Sequence, residues 1–240
     1  HAQFRRQRQM CIRDSIRATN ISYKENKMFF SLNISNLKGH NYKNYEIEFS
    51  MIGLHNIQNA LASIAVGIEL DIPITKIKKT LKTFTGIQRR FQKVGNFNNT
   101  CIIDDYGHHP VEISAALAAA RLITPKHKII SVFQPHRYSR LRDLFNDFCS
   151  CFNDADHVLL LDVFSAGEEP ITNFKSTDLE VGLSNYGHKN VSYIKDQKTL
   201  MRTLLKIANP NDLIICLGAG SITKIANKLE DNLYYECKSI

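Results

Sequence analysis

Between Cys101 and Gly218 five apolar runs, CIID, KIISVF, HVLLLDVF, VSYI and DLIICLG, alternate with stretches of helical composition near 110–122, 139–153, 175–185, 197–207 and 221–233. This alternation constrains the chain more than any other feature. A short strand that is apolar throughout has no face to offer water, so both of its faces must be covered. Strands joined in one direction through helices achieve this as a parallel sheet with helices on both faces, and the crossovers are right-handed by default. The fold class predicted is therefore α/β, with a mostly parallel, doubly wound sheet in the C-terminal part. No internal repeat or low-complexity linker interrupts it.

The region before it reads differently. IRATNISY, MFFSLNIS and YEIEFSM, between Ile16 and about Met51, mix apolar with polar residues as half-buried strands do, and KEN and KGHNYKN separate them. HNIQNALASIAVGIEL then places Ile57, Leu61, Ile64 and Ile68 at helical spacing. Ile72-Pro73 breaks that helix, and a second one, Ile74 to Phe84, turns Ile77 and Leu81 inward. TGIQRRFQKVG reads as a connector, which puts a domain boundary near Thr85 and Gly86 and divides the chain into 16–85 and 86–240.

Composition narrows the function. With 240 residues, 43% of them hydrophobic, the chain can bury a sizeable core. The net charge of +8 owes +3 to the first fifteen residues, HAQFRRQRQMCIRDS, which have no apolar period and are set aside as a non-native or disordered segment. The remaining basic residues are scattered and lack interleaved aromatics, a pattern that suits anionic small molecules better than nucleic acid. No run approaches the ~18 apolar residues of a membrane-spanning helix, and no apolar segment of a secretory signal follows the N-terminal arginines. The six cysteines form no C-x-x-C pair, and Cys101 and Cys216 fall inside apolar runs, as small buried hydrophobes do. A reduced, cytoplasmic protein is the reading these features favour.

Ligands of open parallel sheets bind beyond the carboxyl ends of the strands. Four of the predicted strands run into informative polar segments there: DDYGHHP, QPHRYSR, SAGEEP and GAGS. The first, with two acids, a tyrosine and two histidines, can form part of a ligand rim for anions and amines. Structural duties are equally open: Asp104 paired with an arginine, Gly107 in a positive-φ turn, and His109 capping a helix that begins Pro110-Val111-Glu112. A metal reading would use Asp105, His108, His109 and Glu112 with His136, although neighbouring histidines rarely face one ion. In QPHRYSR, Arg137 and Arg140 are three apart at a helix start and can face one way, suited to a carboxylate or phosphate; the alternative is a solvated charged face that includes Arg142. GAGS alone is a weak phosphate signal. Arg89 and Arg90 in the connector suit either a phosphate or an interdomain ion pair. In HNIQN, His55, Asn56 and Asn59 can read a base edge or cap the helix.

Taken together and in order, GLHNIQNALASIAVG, FTGIQRRFQ, DDYGHHPVEI, FQPHRYSRL, DVFSAGEEPI and LGAGSI resemble the Mur ligases, and within them the branch that adds L-alanine to UDP-N-acetylmuramate. The likeness runs from roughly Ile16 to the C-terminus and rests on no single motif. It implies that 16–85 is the last part of a central α/β ATP-binding domain and 86–240 a Rossmann-like C-terminal domain. None of the eleven glycines precedes a lysine, so the G-x-x-x-x-G-K-[ST] loop is absent and a portion of the enzyme, inactive alone, is expected.

The resemblance further implies ATP and Mg2+ as cofactors, the magnesium ligands lying mainly in the parts not matched here, and UDP-N-acetylmuramate, L-alanine and ATP as partners, without nucleic acid or membrane. It places His55, Asn56 and Asn59 at the adenine, Arg90 near the phosphates, and Asp105 near the ribose or phosphates. Tyr106, His108, Arg137 and Arg140 become the L-alanine pocket, with His108 positioning or deprotonating the amine. Three alternatives stay open: the related ligase that recycles a tripeptide onto the same sugar, a non-catalytic nucleotide or amino-acid binding module, and a metal-dependent hydrolase.

Overall fold

A computed structural model describes residues 16–238, so the first fifteen residues, Cys11 among them, and the reading made of them lie outside it. The chain divides into two compact units, one ending at Gly86 and the other beginning at Ile87.

In the first unit three antiparallel strands, β1 (Ile16–Lys24), β2 (Lys27–Leu37) and β3 (His40–Phe49), lie in the order β1-β2-β3. The period of two in β2 sends Met28, Phe30, Leu32 and Ile34 to one face. Two helices, α1 (Leu54–Glu69) and α2 (Ile74–Thr83), supply the other half of that core with Ile57, Ala60, Ile64, Ile68, Ile77 and Leu81. Leu61, expected inward, is only partly buried, because the stripe runs through Ala60 and Gly67 instead. The polar stretch KGHNYKN is not a loop: only Lys38 and Gly39 turn, both at positive φ, and His40 already pairs with Leu37. A two-residue hairpin whose turn residues are both left-handed matches the strand twist, so the polar residues after it simply belong to β3.

The second unit holds six strands in the order β4-β5-β9-β6-β7-β8: β4 (Gln92–Phe97), β5 (Thr100–Asp105), β6 (Ile129–Phe133), β7 (His157–Leu160), β8 (Val191–Tyr193) and β9 (Leu213–Leu217). All neighbours are parallel except β4, which pairs antiparallel with β5. The connector expected after Gly86 thus contains an edge strand. Asn98 and Asn99, both at positive φ, make the tight turn that folds it onto β5.

The helices are α3 (Pro110–Ile123), α4 (Tyr138–Asp143), α5 (Phe145–Ser150), α6 (Ser176–Asn185), α7 (Gln197–Ile207), α8 (Ile222–Ala226) and α9 (Leu229–Lys238). The single helix expected near 139–153 is broken at Leu144, whose amide closes α4 on Arg140 O while its carbonyl opens α5 to Phe148.

Neighbouring residues of each continuous apolar run serve opposite faces. Ile103, Phe133, Val158, Leu160, Ile215 and Leu217 pack with α3 to α6, through Leu117, Phe148 and Leu183 among others. Ile102, Val132, Leu159, Ile214 and Cys216 pack with α7 to α9, through Leu200, Leu204, Ile222 and Leu233. Two dry cores on one sheet explain why these runs show no alternation. Each fully buried leucine or isoleucine contributes about 1.5–3 kcal/mol. The five described cysteines are free thiols, and Cys216 is fully buried. No helix among the described residues is long and apolar enough to cross a membrane.

Candidate functional site

The parallel register aligns Asp105 with Leu217, Leu217 with Phe133, and Phe133 with Leu160. The four polar segments therefore leave one edge of the sheet side by side. Backbone pairing continues past the strands and fixes the loops: Gly218 N–H donates to Asp105 O (3.2 Å), Gln134 N–H to Leu217 O (3.0 Å), Phe164 N–H to Pro135 O and Arg137 N–H to Phe164 O (both 2.8 Å).

In DDYGHHP the two acids turn inward. Asp104, 1% exposed, accepts the Thr223 hydroxyl at 2.6 Å and lies 3.8 Å from Arg89 Nε, the arginine pairing that was one structural option. Asp105, 5% exposed, accepts Phe91 N–H at 2.8 Å and Gly107 N–H at 2.7 Å, joining the start of β4 to the loop after β5. Burial pushes its carboxyl pKa up, against the pull of those two amides and the Arg90 charge. Gly107 is not at positive φ, contrary to the turn expected; a Cβ there would lie 2.9 Å from Asp105 Oδ1, so glycine is needed for close approach.

Tyr106 lies under two guanidiniums, Arg89 at 4.6 Å and Arg90 at 5.7 Å from its ring centre. Arg89 also donates to Gly218 O at 2.6 Å, tying the connector to the GAGS loop, and Arg90 reaches Glu112 at 3.6 Å. His108 Nδ1 is 3.0 Å from Tyr106 O and 3.2 Å from Glu112 Oε2. Both partners are acceptors, so in its neutral form the ring carries its proton on Nδ1 and keeps the Nε2 lone pair.

His109 caps α3: its Nδ1 accepts Val111 N–H at 3.3 Å, and Pro110 follows at the first helical position. Glu112 reciprocates by accepting His108 N–H (3.1 Å) and His109 N–H (3.3 Å). Burial raises the Glu112 carboxyl pKa, but the two amides and the His108 and Arg90 charges outweigh it, and the net shift is downward. A depressed carboxylate stabilises the fold above its unfolded pKa and loses that contribution as pH falls through the folded value. Glu112→Gln is therefore expected to cost about 1 kcal/mol at neutral pH. In urea unfolding the gap to wild type should close as the pH is lowered toward about 3. A gap that is the same at both pH values would sink this account.

The two arginines of QPHRYSR stand at a helix start, and their guanidiniums take different partners. Arg137 is the N-cap of α4, at φ +71°, and reaches Glu168 Oε1 at 3.4 Å. Arg140 folds back on His136, with Nη1 3.0 Å from its carbonyl and 3.2 Å from Nδ1. One amide of the first turn of α4, Ser139 N–H, is taken by Glu168 Oε2 at 2.9 Å. Arg142 pairs with Asp143 in solvent. Burial and the positive neighbours Arg140, His108 and Arg137 press the His136 pKa down, Glu168 opposing them.

Four rings cross the edge in a row. Tyr106 and His108 are 5.1 Å apart, His108 and His136 6.0 Å, and His136 and Phe164 5.3 Å. GAGS lies against the row's end: a Cβ at Gly220 would meet Phe164 Cγ at 2.6 Å. Its turn is braced by Gln134, whose Oε1 accepts Ile222 N–H at 3.0 Å.

The remaining candidates belong to the first unit. Asn56 is 5% exposed and gives its amide to Ile52 O at 2.8 Å, while Asn59 is exposed and lies 3.5 Å from Asn56 Oδ1. His55 is half-buried. The helix N-cap is Gly53 rather than one of these residues. Among the described residues no three His, Cys, Asp or Glu side chains gather as a metal would need. Asp105, His109 and Glu112 spend oxygen or nitrogen on backbone amides instead.

Sequence reasoning passed over Gln134, Phe164 and Glu168, and named Arg89 only as a phosphate or ion-pair candidate beside Arg90. Only Arg89 carried a usable signal, as the apparent duplicate of Arg90.

A mostly parallel sheet with its polar segments gathered on one carboxyl edge is an α/β domain of the kind whose ligands bind at that edge, and the comparison with known proteins gives its class. The family described as Mur ligase, glutamate ligase domain, matches residues 89–220, more than half of the chain, which therefore belongs to the Mur ligase family. UDP-N-acetylmuramate–L-alanine ligase of Rhodospirillum centenum is 43% identical over 219 residues, covering 91% of this chain and 45% of that protein. The ligase of the same name from Paracoccus denitrificans is 49% identical over 183 residues, covering 76% and 38%. The chain thus spans less than half the length of these curated relatives. The crystal structure of UDP-N-acetylmuramate-alanine ligase from Thermotoga maritima shares the fold, with a TM-score of 0.73 at 23% identity over 93% of this chain and 46% of that one.

Proposed function

We propose that the chain forms the amino-acid-receiving part of an ATP-dependent ligase that joins L-alanine to UDP-N-acetylmuramate in peptidoglycan precursor synthesis. The observation that carries this reading is the meeting, on one sheet edge, of Arg137 and Arg140 with a histidine whose Nδ1 is bonded and whose Nε2 meets no partner among the described residues. The relatives' printed names support the choice of substrates.

In this reading the alanine carboxylate takes the guanidiniums of Arg137 and Arg140, and the amine lies by Tyr106 and His108. The γ-phosphoryl group of ATP passes to the lactyl carboxylate of the sugar, giving an acyl phosphate and ADP. The amine then attacks the acyl carbon and phosphate leaves. An ammonium must lose a proton before it can attack, and His108 Nε2 is the group able to accept it. Arg90, half-exposed, suits the nucleotide's phosphates. Asp105, with both oxygens held by amides, acts by fixing Phe91 and Gly107 rather than by reaching the ribose. At the adenine, His55 and Asn59 suit a base edge better than the buried Asn56 does. Among the described residues no three His, Cys, Asp or Glu side chains gather, so Mg2+ would be held chiefly by the nucleotide's phosphates and by groups outside those residues. The chain by itself is not expected to turn over ATP, since its sequence has no phosphate loop.

The test is to join residues 16–240 to the preceding part of the Rhodospirillum centenum ligase and measure ADP release with UDP-N-acetylmuramate. Turnover with L-alanine and not with a tripeptide is the expected result. Preference for the tripeptide would make this a recycling enzyme. A folded joined protein that uses neither would leave a binding module.

A further inference from the structure

We infer that Glu168, in the loop after β7, is the positioning residue that holds Arg137 ready for the substrate carboxylate. This rests on the proposed L-alanine pocket and adds to it a residue to which neither the motif resemblance nor the comparisons give a role. The carboxylate binds three groups of the neighbouring loop at once: Ser139 Oγ at 2.6 Å and Arg137 Nη1 at 3.4 Å on Oε1, and Ser139 N–H at 2.9 Å on Oε2.

Arg137 needs such a hold. Its φ of +71° with ψ of 131° lies outside the regions that L residues populate freely, and a backbone of that kind persists only where its surroundings over-determine it. Two constraints meet there: the Arg137 amide is given to Phe164 O at 2.8 Å, and the first turn of α4 is anchored through Ser139. Glu168 supplies the second of them and aligns the guanidinium as well. The ionic contact, at 3.4 Å and with half of the Arg137 side chain exposed, is loose enough for an arriving carboxylate to share the fork. The Ser139 hydroxyl and amide, and then Arg137, keep the Glu168 pKa below the ordinary carboxylate range although burial opposes them, so the charge persists at neutral pH.

The experiment uses the whole chain. Arginine side-chain Nε–Hε resonances are followed by NMR in wild type, Glu168→Gln and the control Arg142→Ala, and L-alanine is titrated into each. Glutamine keeps an acceptor for the Ser139 amide but loses the charge, so α4 should survive while Arg137 is released. The expected result is loss of order at the Arg137 Nε in Glu168→Gln alone, with L-alanine binding weakened at least about fivefold. An equally ordered Arg137, or an unchanged L-alanine affinity, would overturn the proposal. If wild type shows no response to L-alanine, the pocket assignment fails, and the order of Arg137 still decides the role of Glu168.

Discussion

Arg137→Ala, made in the joined ligase, is expected to raise the KM for L-alanine roughly 30- to 100-fold while the KM for ATP changes less than about threefold. A charge-assisted fork on a carboxylate contributes about 2–3 kcal/mol when it is partly shielded, and little in the rim of Arg137 can replace it. Arg140, which shares the carboxylate in this reading, also holds the carbonyl and ring of His136. Arg140→Ala should therefore lower kcat as well, because it also frees His136, which stands 6.0 Å from His108. Steady-state kinetics with each substrate varied in turn separates the two effects. Equal losses for L-alanine and ATP in Arg137→Ala would remove it from the amino-acid pocket.

Gly218→Ala should destabilise the second unit by about 3 kcal/mol, the sum of backbone strain and a forced contact. Gly218 adopts a φ of +147°, and a Cβ there would lie 2.7 Å from the backbone oxygen of Gln134. That oxygen cannot retreat easily, since Gln134 is itself bonded to Leu217 O and Gly218 to Asp105 O. Relief would come only by parting β9 from β5 or β6 at the edge where the rim residues lie. Thermal or urea unfolding of the whole chain measures the loss. A variant within about 0.5 kcal/mol of wild type would show that this turn is soft.

The sequence was legible where one interaction dominates. The apolar runs of β5, β6, β7 and β9 could be stable only between two layers of helices, and their direction placed four polar segments on one edge. The cap formed by His109, Pro110 and Glu112 was readable because all of its partners are local. What escaped depends on contacts between distant positions. The β4 sequence QKVGNF is neither continuously apolar nor cleanly alternating, and it becomes a strand only because β5 offers it an edge. Asp105 looks like a ligand group in sequence, yet a backbone amide fourteen residues earlier claims one of its oxygens. Glu168 lies 31 residues from Arg137, and nothing in the local pattern announces that they meet. Arg137 and Arg140 were read as a pair at a helix start, but nothing local shows that Glu168 and His136 claim them separately.

The order of the strands also governs how the second unit comes into being. β9, the last of the six described strands to be made, lies between β5 and β6 and, among the described strands, alone pairs with both. During synthesis the β4–β5 hairpin and the β6-β7-β8 layer must wait as separate pieces, each with an unpaired parallel edge, until the residues up to Leu217 have left the ribosome. Such edges invite pairing with other chains. Leu213–Leu217 is thus the keystone segment of translation, and a nascent chain stalled before it presents two adhesive half-sheets to its neighbours and to chaperones.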